Sequence, residues 1–262
     1  MTDLWHTIAF GIIEGITEFL PISSTGHLLI AERWLGERSE LFIVGIQAGA
    51  ILAVLFIYWQ RLVTLFTHLG QRANRDYLAK LTVAFLITAL GSFIATRHGF
   101  KLPDSLPPIA LALIIGGIAI LIIERVVAGR ALSTDVSWKV AFWVGACQIL
   151  AAVFPGTSRS AATIFAAMLA GLTARPAATE FAFLVGIPTM FAATGYELLK
   201  TRGEAADEDW GALAIGFVVS GIVAFIAVKW LLGYIQSHRF TLFAWYRIVF
   251  GAGVLALALW RN

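Results

Sequence analysis

The sequence contains few charged residues and a single cysteine. Asp, Glu, Lys and Arg make up 13% of the 262 residues, while 59% are apolar and the mean hydropathy is +0.84. Soluble domains carry about 25% charged and about 45–50% apolar residues, so this composition excludes a water-soluble globule and indicates a protein that lies in lipid. Having only Cys147 excludes a disulfide framework and any cysteine-based zinc or iron–sulfur site.

The chain also lacks runs of like charge, Gly/Ser-rich linkers and low-complexity tracts. Its 19 Lys and Arg residues stand against 16 Asp and Glu residues, and the resulting net charge of +3 is spread thinly along the sequence. Binding to a nucleic-acid backbone needs concentrated positive charge, so we expect no nucleic-acid partner. Without a linker, residues 1–262 are expected to form a single integral membrane domain.

Six apolar runs are long enough to cross a membrane as helices. A helix needs about 20 mostly apolar residues to cross the hydrocarbon layer. Runs of about this length lie near residues 41–59, 78–96, 107–123, 181–199, 211–228 and 240–260. The sequence therefore predicts an all-α integral membrane protein with six transmembrane helices.

Two further apolar regions are interrupted by a polar turn. One runs from residue 4 to about residue 32 and is broken after Pro21, while the other runs from 138 to about 172 and is broken at Pro155. Non-helical backbone at membrane depth is tolerated only where protein or a wet cavity covers it. Each region is therefore predicted to be a re-entrant helical hairpin.

The two predicted hairpins occupy equivalent places in two halves of the sequence. Alignment of Pro21 with Pro155 brings the two turns into register. The halves, about 1–127 and 136–262, would each hold one hairpin and three spans, and the odd number of crossings would invert the second half. Such an inverted-topology repeat places functional groups near the membrane midplane, where the broken helices meet.

The distribution of Lys and Arg indicates the orientation in the membrane. Ten lie in the loops at 61–80, 125–139 and 229–239 and at Arg175. Seven lie on the opposite side: Arg33, Arg38, Arg97, Lys101, Lys200, Arg202 and Arg261. Because the cytoplasmic side carries the excess of basic residues, both termini and the first hairpin are predicted to face outward.

Glu14 and Glu18 lie in the first interrupted region. They are four residues apart, which puts both carboxylates on one face of a helix. Ionisable groups inside a membrane are costly and are functional by default. Two oxygen ligands at this spacing suit a hard divalent cation such as Mg²⁺ or Ca²⁺, and Glu14 and Glu18 are its predicted ligands.

The first turn brings three hydroxyl groups and an imidazole to the start of a helix, in Ser23, Ser24, Thr25 and His27. The free N–H groups and the dipole at a helix start attract anions, phosphate above all. Capping of the helix explains any one of these hydroxyls, and His27 alone is typical of a buried structural histidine. The set together predicts a phosphate site.

The second turn repeats this design with an arginine in its middle, in Ser158, Arg159 and Ser160, with Thr163 one helical turn later. A guanidinium at membrane depth needs an anionic partner, and its planar fork suits a phosphate. The alternative is an ion pair between Arg159 and the Glu pair of the first turn, which could form in the empty site and open for substrate. The two turns together would hold a diphosphate, with predicted contacts from Ser23, Thr25, Ser158, Ser160 and Thr163.

Both turns resemble the signature motifs of a known family. The segments EGITEFLPISSTGH at 14–27 and PGTSRSAAT at 155–163 are similar to the two motifs of the bacterial undecaprenyl-diphosphate phosphatases, the bacitracin-resistance type of membrane enzyme. The resemblance continues through IQAGAILAV at 46–54, EFAFLVGIP at 180–188 and YR at 246–247, and so extends over nearly the whole chain.

The resemblance implies hydrolysis of a C55 polyprenyl diphosphate to the monophosphate lipid carrier of cell-wall synthesis, with resistance to bacitracin as a consequence. It also implies a divalent cation, a place in the bacterial inner membrane and an active site open to the periplasm. The family's functional positions fall on Glu14, Glu18, Ser24, His27 and Arg159. The expected partners are the polyprenyl diphosphate and membrane lipids, and the sequence leaves open whether two copies form a homodimer.

The same residues suggest how the reaction would proceed. Ser24 is the predicted nucleophile, with His27 or Glu18 as its base, and Arg159 would hold the charge that develops on the phosphoryl oxygens. The sequence equally allows these groups to position and deprotonate an attacking water.

A transporter or lipid flippase is the alternative function. Inverted repeats with broken helices at the midplane are a transporter plan, and a fold alone does not fix function. A carrier of an anionic lipid would need Arg159, but it has no evident need for Ser24, His27 and two glutamates beside it. The residue set therefore favours hydrolysis.

Overall fold

The computed structural model describes residues 4–99, 105–201 and 208–260, and all regular secondary structure in these ranges is helical. The helices are α1 (Leu4–Thr17), α2 (Ser24–Leu35), α3 (Glu40–Ile57), α4 (Trp59–Thr67), α5 (Arg72–Arg97), α6 (Leu106–Ala128), α7 (Trp138–Val153), α8 (Arg159–Ala170), α9 (Arg175–Lys200), α10 (Trp210–Tyr234) and α11 (Thr241–Trp260). Lys101, Arg202 and Arg261, which entered the orientation prediction, lie outside the described residues.

Six of these helices have the length and hydropathy of membrane spans, namely α3, α5, α6, α9, α10 and α11. They are 18 to 26 residues long, and each coincides with one of the six apolar runs, which confirms that prediction. The protein is therefore an α-helical, multi-pass membrane protein.

Polar residues mark where several spans begin. The side chain of Ser39 accepts a hydrogen bond from the amide of Phe42 over 3.0 Å, and Asp209 accepts one from the amide of Ala212 over 3.0 Å. These caps satisfy amides that have no partner inside the first turn of a helix, so each span starts at a defined residue.

The two interrupted regions form two pairs of short helices. The helices α1 and α2 have 14 and 12 residues, and α7 and α8 have 16 and 12. At 1.5 Å per residue they are about 18–24 Å long, which is less than the hydrocarbon thickness of about 30 Å. Polar turns at 18–23 and 154–158 join the members of each pair.

Side-chain contacts define the two ends of the helix bundle. At one end, which we call the Lys200 end, Lys200 Nζ lies 3.2 Å from Oε2 of Glu40, so α9 ends where α3 begins. At the other, the Arg175 end, the guanidinium of Arg175 donates to both oxygens of Glu124 over 2.9 and 2.5 Å. The amide of Phe240 donates to the same carboxylate over 2.9 Å, which places the start of α11 there as well.

Each pair of short helices has contacts to one end of the bundle. The guanidinium of Arg38, which follows α2, donates to Thr7 of α1 over 3.5 Å close to the Lys200 end. Near the Arg175 end, Arg130, which precedes α7, donates to the carbonyl of Leu169 in α8 over 2.9 Å. The two turns between the short helices therefore point towards each other inside the bundle.

Glycines allow the first helix of each pair to pack closely against a long helix. A Cβ atom on Gly15 of α1 would lie 2.7 Å from the carbonyl oxygen of Ser220 in α10. A Cβ atom on Gly145 of α7 would lie 2.6 Å from the carbonyl oxygen of Ala84 in α5. Real Cβ atoms do not approach oxygen this closely, so glycine is needed at both positions to seat the turns.

Candidate active site

The two turns start their helices in the same unusual backbone conformation. Ser23 and Ser158 are the N-cap residues of α2 and α8, with φ of 74° and 68°, and among the described residues they alone combine a Cβ atom with positive φ. Such a conformation costs free energy and is concentrated at functional sites. Both helices have 12 residues and end at a glycine with positive φ, Gly36 and Gly171.

The structure makes Ser23 and Ser158 equivalent, because both are N-cap residues. An alignment of Pro21 with Pro155 would instead match Ser158 with Ser24, one residue further along. The reason is that one residue separates Pro21 from its cap, whereas two residues separate Pro155 from its cap. The stretch from the proline to the cap is therefore one residue longer in the second turn than in the first.

Glu18 joins the functional groups of both turns. The hydroxyl of Ser24 donates to Oε2 of Glu18 over 2.5 Å, and Nη2 of Arg159 forms an ion pair with Oε1 of the same carboxylate. Glu18 and Ser24 are buried, while a quarter of the Arg159 side chain remains accessible. The ion-pair alternative for Arg159 is thus present in the structure, and it places the arginine beside the predicted nucleophile.

Glu14 lies one helical turn before Glu18 and is fully buried. Neither of its carboxylate oxygens has a hydrogen-bond partner among the described residues. The charges of Glu18 and Arg159 both act on it, so the three groups lie close together. Burying a carboxylate is costly unless a partner compensates its charge, and the cation that acts on Glu14 is the guanidinium of Arg159.

Among the described residues of the site, Glu14 and Glu18 are the two carboxylates that a divalent cation could use. Within the described ranges, no group of three or more His, Cys, Asp and Glu residues comes together to hold an ion. Mg²⁺ usually takes one or two carboxylates and completes its shell with water and substrate phosphate oxygens. The unpartnered oxygens of Glu14 suit this kind of site, and Glu18 retains lone pairs because a carboxylate can accept about four hydrogen bonds.

Arg247 of α11 connects both turns to α6. Its side chain is fully buried, and the guanidinium donates to the carbonyls of Pro21 in the first turn, over 3.3 Å, and of Gly156 in the second turn, over 3.1 Å. It also donates to the carbonyls of Ala112 and Leu113 in α6 over 3.1 and 3.3 Å. Because one rigid group binds both turns, it fixes their spacing.

His27 faces α11. Its Nδ1 lies 2.7 Å from the carbonyl oxygen of Ser23, its Nε2 lies 2.7 Å from the hydroxyl of Tyr246, and its ring stacks on Phe250 at 4.2 Å between centroids. Both ring nitrogens therefore have partners away from Glu18. Of the two predicted bases for Ser24, the structure brings Glu18 to the hydroxyl and places His27 elsewhere.

Two of the predicted substrate contacts are bonded to the backbone instead. Ser160 is buried and donates to the carbonyl of Leu20 over 3.0 Å, which ties the second helix to the first turn. Thr163 is buried and donates to the carbonyl of Arg159 over 2.9 Å. The Ser160 bond joins α8 to the first turn, the Thr163 bond lies within α8, and a direct contact of either residue with substrate stays a prediction.

A cavity of about 800 Å³ opens from the cluster around Glu18. Its wall includes the catalytic candidates Glu18, Ser24 and Arg159 together with the predicted substrate contacts Ser23, Thr25 and Ser158. Residues of α5, α7 and α9 form most of the remaining wall, with Gln47 of α3 and Gly156 and Thr157 of the second turn, and the cavity reaches Arg97 and Tyr196 near the Lys200 end. A phosphorylated ligand can therefore reach the cluster from that end of the bundle.

Sequence reasoning missed part of this wall. Gln47 and Gln148 line the cavity, and Nε2 of Gln148 donates to the hydroxyl of Thr88 in α5 over 3.2 Å. The available signal was the spacing of polar residues in α5, where Thr88, Ser92 and Thr96 recur every four residues in an apolar run. Such spacing predicts one polar face on a helix.

Comparison with known proteins connects this site to a family. The sequence model of the family described as bacitracin resistance protein BacA matches residues 7–253, a range that contains both turns and all residues of the cluster. The chain belongs to this family. The resemblance drawn from the two motifs is thereby confirmed.

Relatives within the BacA family are similar over their whole length. A protein of Rhizobium etli (strain CIAT 652) is 62% identical over 258 residues, which cover 98% of this chain and 97% of the relative. A protein of Xanthomonas oryzae pv. oryzae (strain PXO99A) is 57% identical over 263 residues, which cover 99% of this chain and 98% of the relative. Both relatives are named undecaprenyl-diphosphatase.

Proposed function

We propose that this protein hydrolyses undecaprenyl diphosphate to undecaprenyl phosphate and inorganic phosphate. Its relatives in the BacA family carry the corresponding name at 56% to 62% identity. The observation that carries the proposal is the contact of Glu18 with both Ser24 and Arg159, which places a base, a hydroxyl group and a phosphate-binding cation at one point. The reaction returns the lipid carrier to cell-wall synthesis and so supports resistance to bacitracin.

Ser24 is the nucleophile in this proposal, and Glu18 accepts its proton. The hydroxyl already donates to Glu18 over 2.5 Å. Its oxygen attacks the terminal phosphorus, the bond from that phosphorus to the bridging oxygen breaks, and Glu18 passes the proton to the bridging oxygen of the departing undecaprenyl phosphate. Glu18 then takes a proton from a water whose oxygen attacks the phosphoserine, and returns that proton to the Ser24 oxygen as inorganic phosphate leaves.

Arg159 links substrate binding to the activation of the base. Without substrate, its guanidinium neutralises Glu18. A phosphate competes for the same guanidinium and offers it a matching pair of oxygens, so binding draws Arg159 away from the carboxylate. Glu18 is then released from the guanidinium to accept the Ser24 proton, while Arg159 holds the charge on the phosphoryl oxygens.

Glu14 is the primary ligand of a divalent cation in the proposal, with Glu18 as the second ligand. The support is the burial of Glu14 together with its two unpartnered oxygens. A bound Mg²⁺ or Ca²⁺ would neutralise part of the diphosphate charge.

The helix pairs α1–α2 and α7–α8 are re-entrant hairpins in an inverted-topology repeat with halves at about 1–127 and 136–262. Three features support this: the contacts of each pair at one end of the bundle, the equal lengths of α2 and α8, and the matching conformations of Ser23 and Ser158. Both turns belong to one chain, so the proposed site is complete in a single domain spanning 1–262.

The cavity faces the periplasm, with the protein in the bacterial inner membrane. This assignment rests on the Lys and Arg distribution, which puts the basic Arg175 end in the cytoplasm. The apolar part of the cavity wall, including Phe85 and Phe93 of α5, would receive the first isoprene units of the substrate. Membrane lipids surround the exposed faces of the six spans.

Phosphate release in detergent tests the proposal against the transporter alternative. Transport needs a sealed membrane, whereas hydrolysis does not. Purified protein in detergent should therefore release inorganic phosphate from undecaprenyl diphosphate, and the Glu18→Gln variant should not. If correctly folded wild-type protein released no phosphate with Mg²⁺ or Ca²⁺ supplied, hydrolysis would be rejected and the transporter alternative would remain.

A further inference from the structure

One face of α5 carries polar groups from the catalytic cluster to the Lys200 end. Thr88, Ser92 and Thr96 line the cavity at intervals of four residues, and Arg97 follows at the end of the helix. At 1.5 Å per residue, this face extends about 13 Å along the cavity. It leads away from Ser24 and is separate from the residues to which we assign the chemistry.

Two buried polar atoms beside this face have no hydrogen-bond partner among the described residues. Gln148 is 2% exposed and lines the cavity, and its Oε1 has no hydrogen-bond partner among the described residues. The hydroxyl of Ser92 is likewise buried and unpartnered within the described ranges. Buried polar atoms are nearly always satisfied by protein, water or a ligand, so this part of the cavity is built for a polar occupant.

The groups along this face can donate hydrogen bonds to an anion. Nε2 of Gln148 carries two N–H groups and donates one of them to Thr88, which leaves the other to donate to an occupant of the cavity. The hydroxyl of Ser92 can also donate by rotation, whereas those of Thr88 and Thr96 already donate to backbone carbonyls. The polar atoms therefore suit an oxyanion better than a cation.

The charges that line the cavity also favour an anion. Among the described lining residues the charged ones are Glu18, Arg159 and Arg97. Glu18 is neutralised by Arg159, which leaves the positive charge of Arg97 at the mouth. A cleft with one sign of net charge raises the local concentration of ions of opposite sign.

We infer that Ser92, Arg97 and Gln148 form a second oxyanion site, which takes up inorganic phosphate after hydrolysis and passes it to the Lys200 end. The inference rests on the proposed function, because hydrolysis gives one product that is soluble in lipid and one that is soluble in water. Undecaprenyl phosphate stays in the bilayer, whereas inorganic phosphate must reach water. A polar face with a cation at its mouth provides that route.

Binding and product inhibition by inorganic phosphate test this site. Equilibrium dialysis with radiolabelled phosphate measures Kd on detergent-solubilised protein without any turnover. Conversion of radiolabelled undecaprenyl diphosphate at increasing phosphate concentrations gives Ki and KM. Ser92→Ala and Arg97→Gln should each raise Kd and Ki for phosphate about tenfold, the loss expected for one hydrogen bond to a charged group, and should raise KM by less.

Matched control variants separate this effect from general destabilisation. Ser220→Ala removes a buried hydroxyl of the α1–α10 contact that has no hydrogen-bond partner in the described part of the chain. Arg33→Gln removes a positive charge at the end of α2, and neither residue lines the cavity. Both controls should leave Kd and Ki within twofold of wild type.

Each remaining outcome overturns the inference. Unchanged Kd and Ki in Ser92→Ala and Arg97→Gln would show that phosphate does not use this face. A rise in KM equal to or larger than the rise in Ki would assign the face to the incoming diphosphate headgroup. Failure of the proposed function would appear differently, as a wild-type protein that does not convert the lipid at all.

Discussion

Glu18 and Arg159 are 141 residues apart in the sequence and form an ion pair inside the protein. One residue comes from the first turn and the other from the second, so the pair exists only when the two turns meet. The side chain of Glu18 is 5% exposed and that of Arg159 is 23% exposed, which leaves the guanidinium partly accessible from the cavity. The same contact therefore serves the assembly of the site and its chemistry, and variants of Arg159 separate the two.

Substitution of Arg159 should lower turnover more than stability when charge is kept. Arg159→Lys retains the positive charge but loses the bidentate fork, so kcat should fall by about 10²-fold or more with little change in Tm. Arg159→Ala leaves Glu18 buried and unpaired, which should cost about 3–5 kcal/mol of stability in addition to activity. Phosphate release and melting curves of both variants in one detergent, with one cation, make the comparison. Near-normal turnover in Arg159→Ala would eliminate its role in phosphate binding.

Glu14→Gln should change the cation requirement while the fold is kept. The substitution preserves shape and removes a buried charge that has no hydrogen-bond partner among the described residues, so Tm should stay the same or rise. The concentration of Mg²⁺ or Ca²⁺ that gives half-maximal activity should increase at least about tenfold.

Glu197→Gln provides the control for this experiment, because Glu197 pairs with Lys200 at the end of the bundle and lies away from the cluster. Its cation titration should match the wild type. An identical titration for Glu14→Gln would contradict the assignment of Glu14 as a ligand.

Arg247→Met should impair turnover at temperatures where the protein is still folded. The substitution keeps much of the volume but leaves the carbonyls of Pro21 and Gly156 without this donor, so the two turns lose their common anchor. We expect kcat to fall about 10-fold or more, because small displacements of catalytic groups have large effects on rate.

Arg175→Met is the matched control for Arg247→Met, since it breaks a buried ion pair with Glu124 at the far end of the bundle. It should lower Tm and leave kcat near that of wild type well below the melting temperature. If both variants had equal kcat values at temperatures equally far below their own Tm, Arg247 would contribute only to stability.

Cysteine labelling of the two ends of α5 tests the orientation. Gly70→Cys and His98→Cys, each introduced together with Cys147→Ala, place one thiol before and one after this span. A membrane-impermeant maleimide should label His98→Cys in intact cells and Gly70→Cys only after permeabilisation. The reverse pattern would place the mouth of the cavity in the cytoplasm.

Local sequence patterns were sufficient to predict the spans and the two turns. Six runs of apolar residues satisfy the length of the hydrocarbon layer, and Pro21 and Pro155 with the hydroxyl groups after them interrupt the other two regions. The pairing of Arg159 with a glutamate followed from the cost of a charge in lipid. These properties depend on residues that are close together in the sequence or on charge alone.

Contacts between distant helices could not be predicted in the same way. The four carbonyl partners of Arg247 come from three separate segments, and their positions depend on how α6 and α11 pack. The direction of His27 depends on Tyr246, which is 219 residues away. The polar face of α5 has a visible period, but only the packed bundle places that face in the cavity.

The central claim is that Ser24, activated by Glu18, attacks the terminal phosphate. The most direct test follows the initial rate of phosphate release from undecaprenyl diphosphate by wild type, Ser24→Ala and Ser220→Ala in the same detergent and cation, with acid quenching and mass spectrometry to detect phosphoserine. Wild type should show phosphoserine at residue 24, Ser220→Ala should retain its rate, and Ser24→Ala should lose at least about 10³-fold, as expected for a nucleophile. Near-normal release by Ser24→Ala would contradict the account.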